Sequence, residues 1–262
     1  MTTLAPSVLL AFDDFSLAGS YLVRHATVSS GRCLEPETLT PNSINDTAAS
    51  ASASAAAILP YVRVQHFHLS QDSARPELST VVIHSAALQS SEYALWEVAK
   101  AIISLLSASD VRELTIVASL HLPDAKPQSA ALDNVYFAPV ASASPPDEQK
   151  TDASASQSLL FDGSGFAPFD GQWEIRNALL TRLLHLLRVD RSVSTAVLLA
   201  KGYRPGRDGA GTRDAMEALE LALQRYSRGV LSFDRQAASR DAALALQATT
   251  ATKASELALL YQ

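Results

Sequence analysis

One glycine-rich stretch has the composition and the position of a phosphate-binding loop. Gly206-Arg207-Asp208-Gly209-Ala210-Gly211-Thr212 follows the predicted strand Val193–Ala200 and precedes a predicted helix. A phosphate loop carries a lysine immediately before its hydroxyl residue, where the ammonium group reaches the outer phosphates. Gly211 occupies that position, so we predict that the chain does not bind nucleoside triphosphates. The loop still lies at the carboxyl end of a strand, where α/β sheets bind ligands.

Two consecutive acids, Asp13 and Asp14, form the most site-like acidic pair of the sequence, because they directly follow a predicted buried strand. A turn is the commoner use of two aspartates in this position. His66 and His68 place two imidazoles on one face of another predicted strand, as metal ligands can be. No third ligand follows at a characteristic spacing, so we predict a solvent-facing edge and no metal site.

The nucleophiles of the sequence lack neighbours that would activate them. Cys33 is the only cysteine, which excludes an internal disulfide and favours a reducing compartment, and no base is adjacent to it. Ser164 stands in Gly163-Ser164-Gly165, which is not the G-x-S-x-G elbow of hydrolases, and no predicted strand precedes it. The sequence therefore predicts no catalytic residue, no cofactor and no enzyme activity.

Composition limits the classes of partner. The chain has 262 residues, of which 47% are hydrophobic and 18% charged, so it can bury a large core. A net charge of −6 without a lysine/arginine cluster argues against nucleic-acid binding. The most apolar predicted helix, Ile175–Val189, contains Arg182, His185 and Arg188, so we expect no membrane span. These features predict a location in the cytoplasm or the nucleus.

Two Ala/Ser-rich stretches interrupt the chain, Asp46–Ala57 and Ala141–Ser158. Neither has enough apolar residues to offset the entropy that ordering would cost, so we interpret both as insertions. The sequence from residue 1 to residue 234 otherwise predicts a single α/β domain. Residues 235–262 are rich in alanine and predict a helical or flexible C-terminal tail.

Solidly apolar strands alternate with amphipathic helices along the domain. The helix predicted over Ser91–Ser107 shows apolar residues at helical spacing, namely Leu95, Val98, Ile102 and Leu105. Strands without a polar face are typical of sheets that are covered on both sides. The pattern predicts an α/β fold, a layered sheet with helices on both faces. The other predicted elements are strands at Ser7–Phe12, Tyr61–Leu69, Thr80–His84, Leu114–Ala118, Val193–Ala200 and Val230–Phe233, and helices at Ser16–Val28, Ile175–Val189 and Asp214–Tyr226.

The last three residues, Leu260-Tyr261-Gln262, form a tip with the chemistry of a docking motif. Leucine offers an apolar anchor, tyrosine a flat ring with one hydroxyl, and the terminal carboxylate can pair with a lysine or with backbone amides. This ending resembles the HbYX tail (hydrophobic residue, tyrosine, any residue) with which activators and assembly chaperones enter pockets between α-subunits of the proteasome core particle. The alternative is a helix end that packs its leucine and tyrosine on its own domain.

The order of segments also resembles the proteasome assembly chaperone 1 family. Leu9–Phe12 and Leu17–Ser20 resemble the first strand of the family and its small-residue turn into a helix. Leu260-Tyr261-Gln262 matches the tail of the family position by position. The other segments that carry the resemblance are Val81–His84, Tyr93–Leu106, Leu114–His121, Asn177–Leu187, Thr195–Ala200 and Tyr203.

The resemblance implies a non-catalytic chaperone that pairs with a proteasome assembly chaperone 2-like subunit and binds proteasome α-subunits during assembly of the 20S core particle. It implies that Leu260 fills an apolar recess, that Tyr261 packs its ring and offers its hydroxyl, and that the Gln262 carboxylate faces a lysine. Two alternatives stay open: an α/β enzyme of a nucleoside-processing or hydrolase type, and a scaffold subunit of another complex.

Overall fold

The computed structural model describes residues 3–14, 16–29, 31–34, 36–38, 61–70, 73–84, 92–122, 125, 130–141, 161–173, 175–191, 193–202 and 209–260. The predicted insertion Asp46–Ala57 lies outside the described residues. The predicted insertion Ala141–Ser158 also lies outside them, apart from Ala141. Residues 203–208 of the glycine-rich stretch are likewise outside.

A continuous apolar run builds the central strand, whose six residues are all buried. Such a strand needs a covering layer on each face, because neither set of alternating side chains can face water. In chain order the described strands are β1 (Ser7–Phe12), β2 (Ala26–Val28), β3 (Arg32–Cys33), β4 (Glu37–Thr38), β5 (Val62–His68), β6 (Leu78–Ile83), β7 (Glu113–Leu120), β8 (Val135–Ala141), β9 (Ala167–Pro168), β10 (Ser194–Lys201) and β11 (Leu231–Phe233).

Nine of the described strands form one mixed sheet in the order β3-β5-β6-β1-β7-β10-β8-β9, with β4 also paired to β5. Strands β6, β1, β7 and β10 run parallel to one another. Strands β5 and β8 run antiparallel to their inner neighbours β6 and β10. Strands β2 and β11 form a separate antiparallel pair. The parallel centre requires crossover connections, which the helices supply.

Helices cover both faces of this sheet. They are α1 (Ala18–Arg24), α2 (Glu92–Ala108), α3 (Ala178–Asp190), α4 (Gly209–Tyr226) and α5 (Arg235–Leu260). Val8, Leu10 and Phe12 of β1 belong to the core under α2 and α3, whereas Leu9 and Ala11 belong to the core under α1, α4 and α5. The predicted α/β fold, a layered sheet with helices on both faces, is confirmed. None of the described helices combines the length and the apolarity that crossing a bilayer would need.

Two of the differences from the sequence prediction have identifiable physical reasons. The first helix, predicted over Ser16–Val28, ends at Arg24, because Ala26–Val28 pair with a strand more than 200 residues later in the chain. Strand β8 is not predicted at all. Pro139 of this strand lacks a backbone N–H. The proline is tolerated beside the irregular register between β8 and β10, at the outer side of the sheet.

Candidate functional site

The helix that carries the predicted docking tip starts directly after β11. Asp234 caps its first turn, because the Ala237 N–H donates to Asp234 Oδ1 over 2.9 Å and the Ala238 N–H donates to the Asp234 carbonyl oxygen over 3.0 Å. An acidic residue in this position satisfies otherwise unpaired N–H groups and suits the helix dipole. One helix then continues from Arg235 to Leu260.

The first turns of α5 pack on the domain through small side chains. Ala238 and Ala242 are buried, and Ala245 packs partly buried against the same core, which α1 and α4 also line. These positions are four and three residues apart, so they form one narrow stripe along the helix. Leu244, on another side of the helix, is 64% exposed. Alanines bury little area, so the attachment depends on polar contacts as well.

Two polar contacts fix the orientation of α5. His25 Nε2 lies 2.9 Å from Asp241 Oδ2, which joins the end of α1 to α5. The Arg235 guanidinium lies 3.3 Å from Glu217 Oε2 and 3.3 Å from Glu220 Oε2, which joins α5 to α4. Partly exposed pairs of this kind contribute about 0–1 kcal/mol each. They set a direction for the helix more than they add stability.

The predicted partner-binding residues stand at the far end of this helix. Leu260 is the last residue of α5. At 1.5 Å per residue, the helix places Leu260 about 22 Å beyond Ala245 along its axis. The side chain of Leu260, and the whole of Tyr261 and Gln262, lie outside the described residues. Their docking role stays a prediction.

Asp14, the second acid of the predicted pair, is a buried structural link. Its carboxylate accepts hydrogen bonds from the N–H groups of Ser16 (3.1 Å), Leu17 (2.9 Å) and Ser119 (2.5 Å), and from the Ser119 hydroxyl at 3.0 Å. Burial raises the pKa of Asp14 to about 7, although each of these hydrogen bonds lowers it. The bond to Leu17 holds the entry to α1, where Leu17 adopts a left-handed conformation with φ 60°.

This link closes the place where a doubly wound sheet binds ligands. The chain adds β6 on one side of β1 and then crosses to β7 on the other side, so the crevice of the switch point lies between the carboxyl ends of β1 and β7. The pairing of β1 with β7 ends at Val117. Beyond that point, the Asp14 carboxylate accepts a hydrogen bond from the Ser119 N–H. A Cβ on Gly19 would lie 3.2 Å from the Val117 carbonyl oxygen, so α1 also sits close over this edge.

Asp13, the first acid of the pair, lies toward β6 and forms an ion pair. Its Oδ1 is 2.7 Å from an Arg24 nitrogen, and its Oδ2 is 3.9 Å from His84 Nε2. The Asp13 side chain is 2% exposed, whereas that of His84 is 51% exposed. The structure therefore assigns the two aspartates to different neighbours. Asp14 forms the local turn that the commoner alternative implied, through the Ser16 and Leu17 N–H groups, and also bonds Ser119, whereas Asp13 forms an ion pair.

The other sequence candidates do not come together. Helix α4 begins at Gly209, so the end of the predicted phosphate loop is its first helical turn. His66 Nδ1 lies 2.7 Å from Ser79 Oγ, and His68 Nδ1 lies 2.9 Å from the Ser73 carbonyl oxygen. Within the described ranges no three histidine, cysteine or acidic side chains are grouped as metal ligands.

The two candidate nucleophiles are also held by ordinary structural contacts. Cys33 is exposed, and its Sγ lies 2.7 Å from Gln65 Nε2. The thiol is still partly screened from water, and this partial burial raises its pKa. A raised thiol pKa lowers the thiolate fraction that reacts. The Ser164 N–H donates to Asp162 Oδ1 over 2.9 Å in a local turn. The described contacts of Cys33 include no activating base, and the Asp162 carboxylate that bonds Ser164 has a pKa lowered by these hydrogen bonds, which makes it a weak base.

Sequence reasoning missed the partners of the two aspartates, Ser16, Arg24 and Ser119. Ser119 did carry a signal, because it is a polar residue at the end of a strand that is otherwise almost entirely apolar. A polar side chain at the carboxyl end of a strand lies at the same edge of the sheet as the residues that follow a neighbouring parallel strand. The spacing alone could not reveal a contact between residues 105 positions apart.

No protein-family model matches the chain, and no curated protein matches its sequence. Solved structures do share its fold. Pyrococcus furiosus PbaB, described as an archaeal proteasome activator, matches with a TM-score of 0.51 and 10% identity, over 97% of this chain and 96% of that chain. A Thermoplasma acidophilum protein of unknown function matches with a TM-score of 0.50 and 12% identity, over 98% and 91%.

A third match is P. furiosus PbaA, described as an archaeal homolog of proteasome-assembly chaperone. Its TM-score is 0.46 at 12% identity, over 85% of this chain and 84% of that chain. Identities this low show a common fold and no more. The chain therefore shares its fold with a protein described as an archaeal proteasome activator.

Proposed function

We propose that this chain is a non-catalytic chaperone that promotes assembly of the α-ring of the 20S proteasome. It acts as a heterodimer with a proteasome assembly chaperone 2-like subunit. It inserts Leu260, Tyr261 and the Gln262 carboxylate into a pocket between two α-subunits. The proposal places it in the cytoplasm or the nucleus, with neither nucleic acid nor membrane as a partner.

One observation carries this proposal: the fold is shared with an archaeal proteasome activator over nearly the whole of both chains. The Leu260-Tyr261-Gln262 ending supports it, because activators and assembly chaperones of this kind dock through such a tail. A likeness of fold leaves the function open, so the tail is the part of the proposal that experiment must address.

The path of α5 is compatible with a docking role for its end. The buried stripe of alanines and the contacts to α1 and α4 belong to the first turns of the helix, between Arg235 and Ala245. Leu260, the first residue of the tip, is the last residue of the same helix, about 15 residues after Ala245. A docking tip at the end of a helix loses less conformational freedom on binding than one at the end of a flexible chain.

Two linked tails give a physical reason for a heterodimer. A tip of three residues makes a small interface, and a second tail on a bound partner raises the effective concentration of the first without new contacts. The proposal therefore expects tighter binding by the pair than by either subunit alone.

The Asp14 link favours a chaperone over an enzyme of the nucleoside-processing or hydrolase type. Such enzymes bind substrate at the carboxyl edge of the sheet. Here the crevice between β1 and β7 contains the Asp14 carboxylate, hydrogen-bonded to Ser16, Leu17 and Ser119. A substrate would have to displace a buried group that is bonded to four donors.

The test is co-sedimentation of purified 20S core particles with the full chain and three variants: deletion of Leu260–Gln262, Tyr261→Ala, and one glycine added after Gln262. Each change should weaken binding about tenfold to a hundredfold, as expected for loss of a charge-assisted hydrogen bond or a buried ring. The added glycine is the most selective change, because it moves the carboxylate and keeps every side chain.

The control is Leu244→Ala, which changes an exposed leucine of the same helix near its packed region. It should bind like the unchanged chain. A melting curve for each variant separates docking from folding. Unchanged sedimentation together with a lower melting temperature would mean that the tail packs on its own domain, and the proposal would then be wrong.

A further inference from the structure

Three neighbouring strands bring charged side chains to one corner of the sheet. The Asp13 N–H donates to the Ile83 carbonyl oxygen over 2.9 Å, and the His84 N–H donates to the Tyr61 carbonyl oxygen over 2.9 Å. Asp13, His84 and Tyr61 therefore form a row across β1, β6 and the start of β5. This corner lies on the opposite side of β1 from the Asp14 link.

All of these side chains point to the α1 face. Val62 and Val64 of β5 belong to the core under α2 and α3, so Arg63 between them points the other way. Phe12 and Ile83 belong to that same core, so the residues that follow them, Asp13 and His84, also lie on the α1 side. Arg24 at the end of α1 reaches the row from above.

The charges in this corner do not balance. Arg24 pairs with Asp13 at 2.7 Å, and the half-exposed His84 lies 3.9 Å from the same carboxylate. Arg63 is exposed, and the structure shows no ion pair between it and any carboxylate of the described residues. The charge of Arg24 is near enough to help burial lower the pKa of Arg63. Two guanidinium groups thus lie at this corner, and the structure shows the Asp13 carboxylate paired with the guanidinium of Arg24.

The arrangement of Arg24 reduces the cost of binding an anion. Its guanidinium lies 4.2 Å from the centre of the Tyr21 ring and is also held by Asp13. A side chain that is already held loses little freedom when a ligand arrives. Tyr61, which is 44% exposed, forms a rim with a hydroxyl that can donate.

We propose that Arg24, Arg63 and His84 form a binding site for an oxyanion, a carboxylate or a phosphate group. We refer to these three residues as the basic cluster. Guanidinium groups bind both oxyanions through two parallel N–H bonds, and an added anion relieves the repulsion between Arg24 and Arg63. The site is independent of the docking tip and of the crevice that Asp14 closes.

The test is calorimetric titration of the full chain with sodium phosphate and, separately, with sodium acetate at low ionic strength. A single oxyanion on two arginines should bind with a dissociation constant on the order of 1 mM. Binding also raises the melting temperature, which gives a second readout. Binding of phosphate alone would assign a phosphate site, and binding of both anions would assign the shared oxyanion chemistry.

Three variants make the test selective. Arg63→Met should weaken phosphate binding about tenfold, and Arg63→Lys should weaken it less, because lysine keeps the charge and loses the two-pronged geometry. Arg112→Met removes an exposed arginine at the opposite end of the sheet and should leave binding unchanged. No heat and no rise in melting temperature at about 10 mM phosphate would overturn the proposal. Equal losses in Arg63→Met and Arg112→Met would also overturn it, since they would indicate non-specific screening.

Discussion

The two sides of β1 differ at its carboxyl end, although consecutive aspartates supply both. On the β7 side, Asp14 is fully enclosed and its described partners are backbone N–H groups and a serine hydroxyl. On the β6 side, Asp13 faces Arg24 and the half-exposed His84. Arg63 of β5 lies on the same face of the sheet, two residues after Tyr61. One side is closed with neutral donors, and the other is open with surplus positive charge.

The difference shows that two consecutive residues can have separate roles, one in stabilising the fold and one in a group of charged side chains. Asp13 continues the alternation of β1 beside β6, because its N–H donates to the Ile83 carbonyl oxygen, whereas Asp14 turns toward Ser119 of β7 and the start of α1. The Asp14 carboxylate accepts the Ser119 N–H where a neighbouring strand would otherwise do so. Asp14 therefore stabilises the fold itself. Asp13, whose side chain is 2% exposed, pairs with Arg24, so its removal would leave that guanidinium without the carboxylate that holds it.

The largest effect should follow from removing the closed side. Asp14→Ala leaves buried N–H groups of Ser119 and Leu17 without an acceptor, and each such group costs about 1–3 kcal/mol. We expect a loss of about 3 kcal/mol in the free energy of unfolding, measured by urea denaturation. The comparison variant is Asp13→Ala, which removes one partner of an ion pair whose side chains are 2% and 14% exposed, and which should therefore cost more than the about 0–1 kcal/mol of an exposed pair. A loss below about 1 kcal/mol in Asp14→Ala would show that the closed side does not depend on this acceptor.

The sequence was sufficient for the elements that use local signals. The apolar run of β1 and the helical spacing of Leu95, Val98 and Ile102 predicted their elements within one residue at each end, because β1 is buried throughout and the apolar stripe of α2 packs on the core. Solid strands between amphipathic helices also predicted the covered sheet correctly. These features depend on burial, which the composition of each segment already expresses.

The sequence was insufficient where distant residues decide the structure. The end of α1 depends on pairing of Ala26–Val28 with β11, and β8 depends on its place beside β10 despite Pro139. The Asp14–Ser119 contact spans 105 positions. Asp13-Asp14 could be selected as the acidic pair to watch, but their separate roles follow from neighbours that only the fold brings near.

A second effect concerns the pH dependence of stability on the closed side. The folded-state pKa of Asp14 is raised to about 7 from an ordinary 3.8, so between these values the folded chain holds a proton that the unfolded chain has lost. Stability should therefore fall as the pH rises from about 4 to about 7, by up to about 1.4 kcal/mol per pH unit for this one group.

Asp14→Asn is the variant that isolates this effect. Its amide cannot titrate, so the difference in unfolding free energy between the unchanged chain and Asp14→Asn should vary across that pH window and level off outside it. The same pair of measurements on Asp13→Asn serves as the control. A difference that stays constant between pH 4 and pH 7 would mean that Asp14 is ionised throughout, and that its donors outweigh its burial.

The smallest effect should appear on the open side, and it should be a gain. Asp13→Asn removes the one carboxylate that the structure shows against Arg24 and His84, while the amide oxygen can still accept a hydrogen bond from Arg24. With that competitor gone, an incoming oxyanion meets the full charge of the basic cluster. We expect phosphate affinity to rise about threefold, or roughly 0.6 kcal/mol. Titration of Asp13→Asn and of the double variant Asp13→Asn/Arg63→Met measures this directly, because the gain should vanish when Arg63 is absent. If affinity falls in Asp13→Asn, then Asp13 holds Arg24 in the binding position more than it competes for it, and the open side depends on its aspartate as strictly as the closed side does.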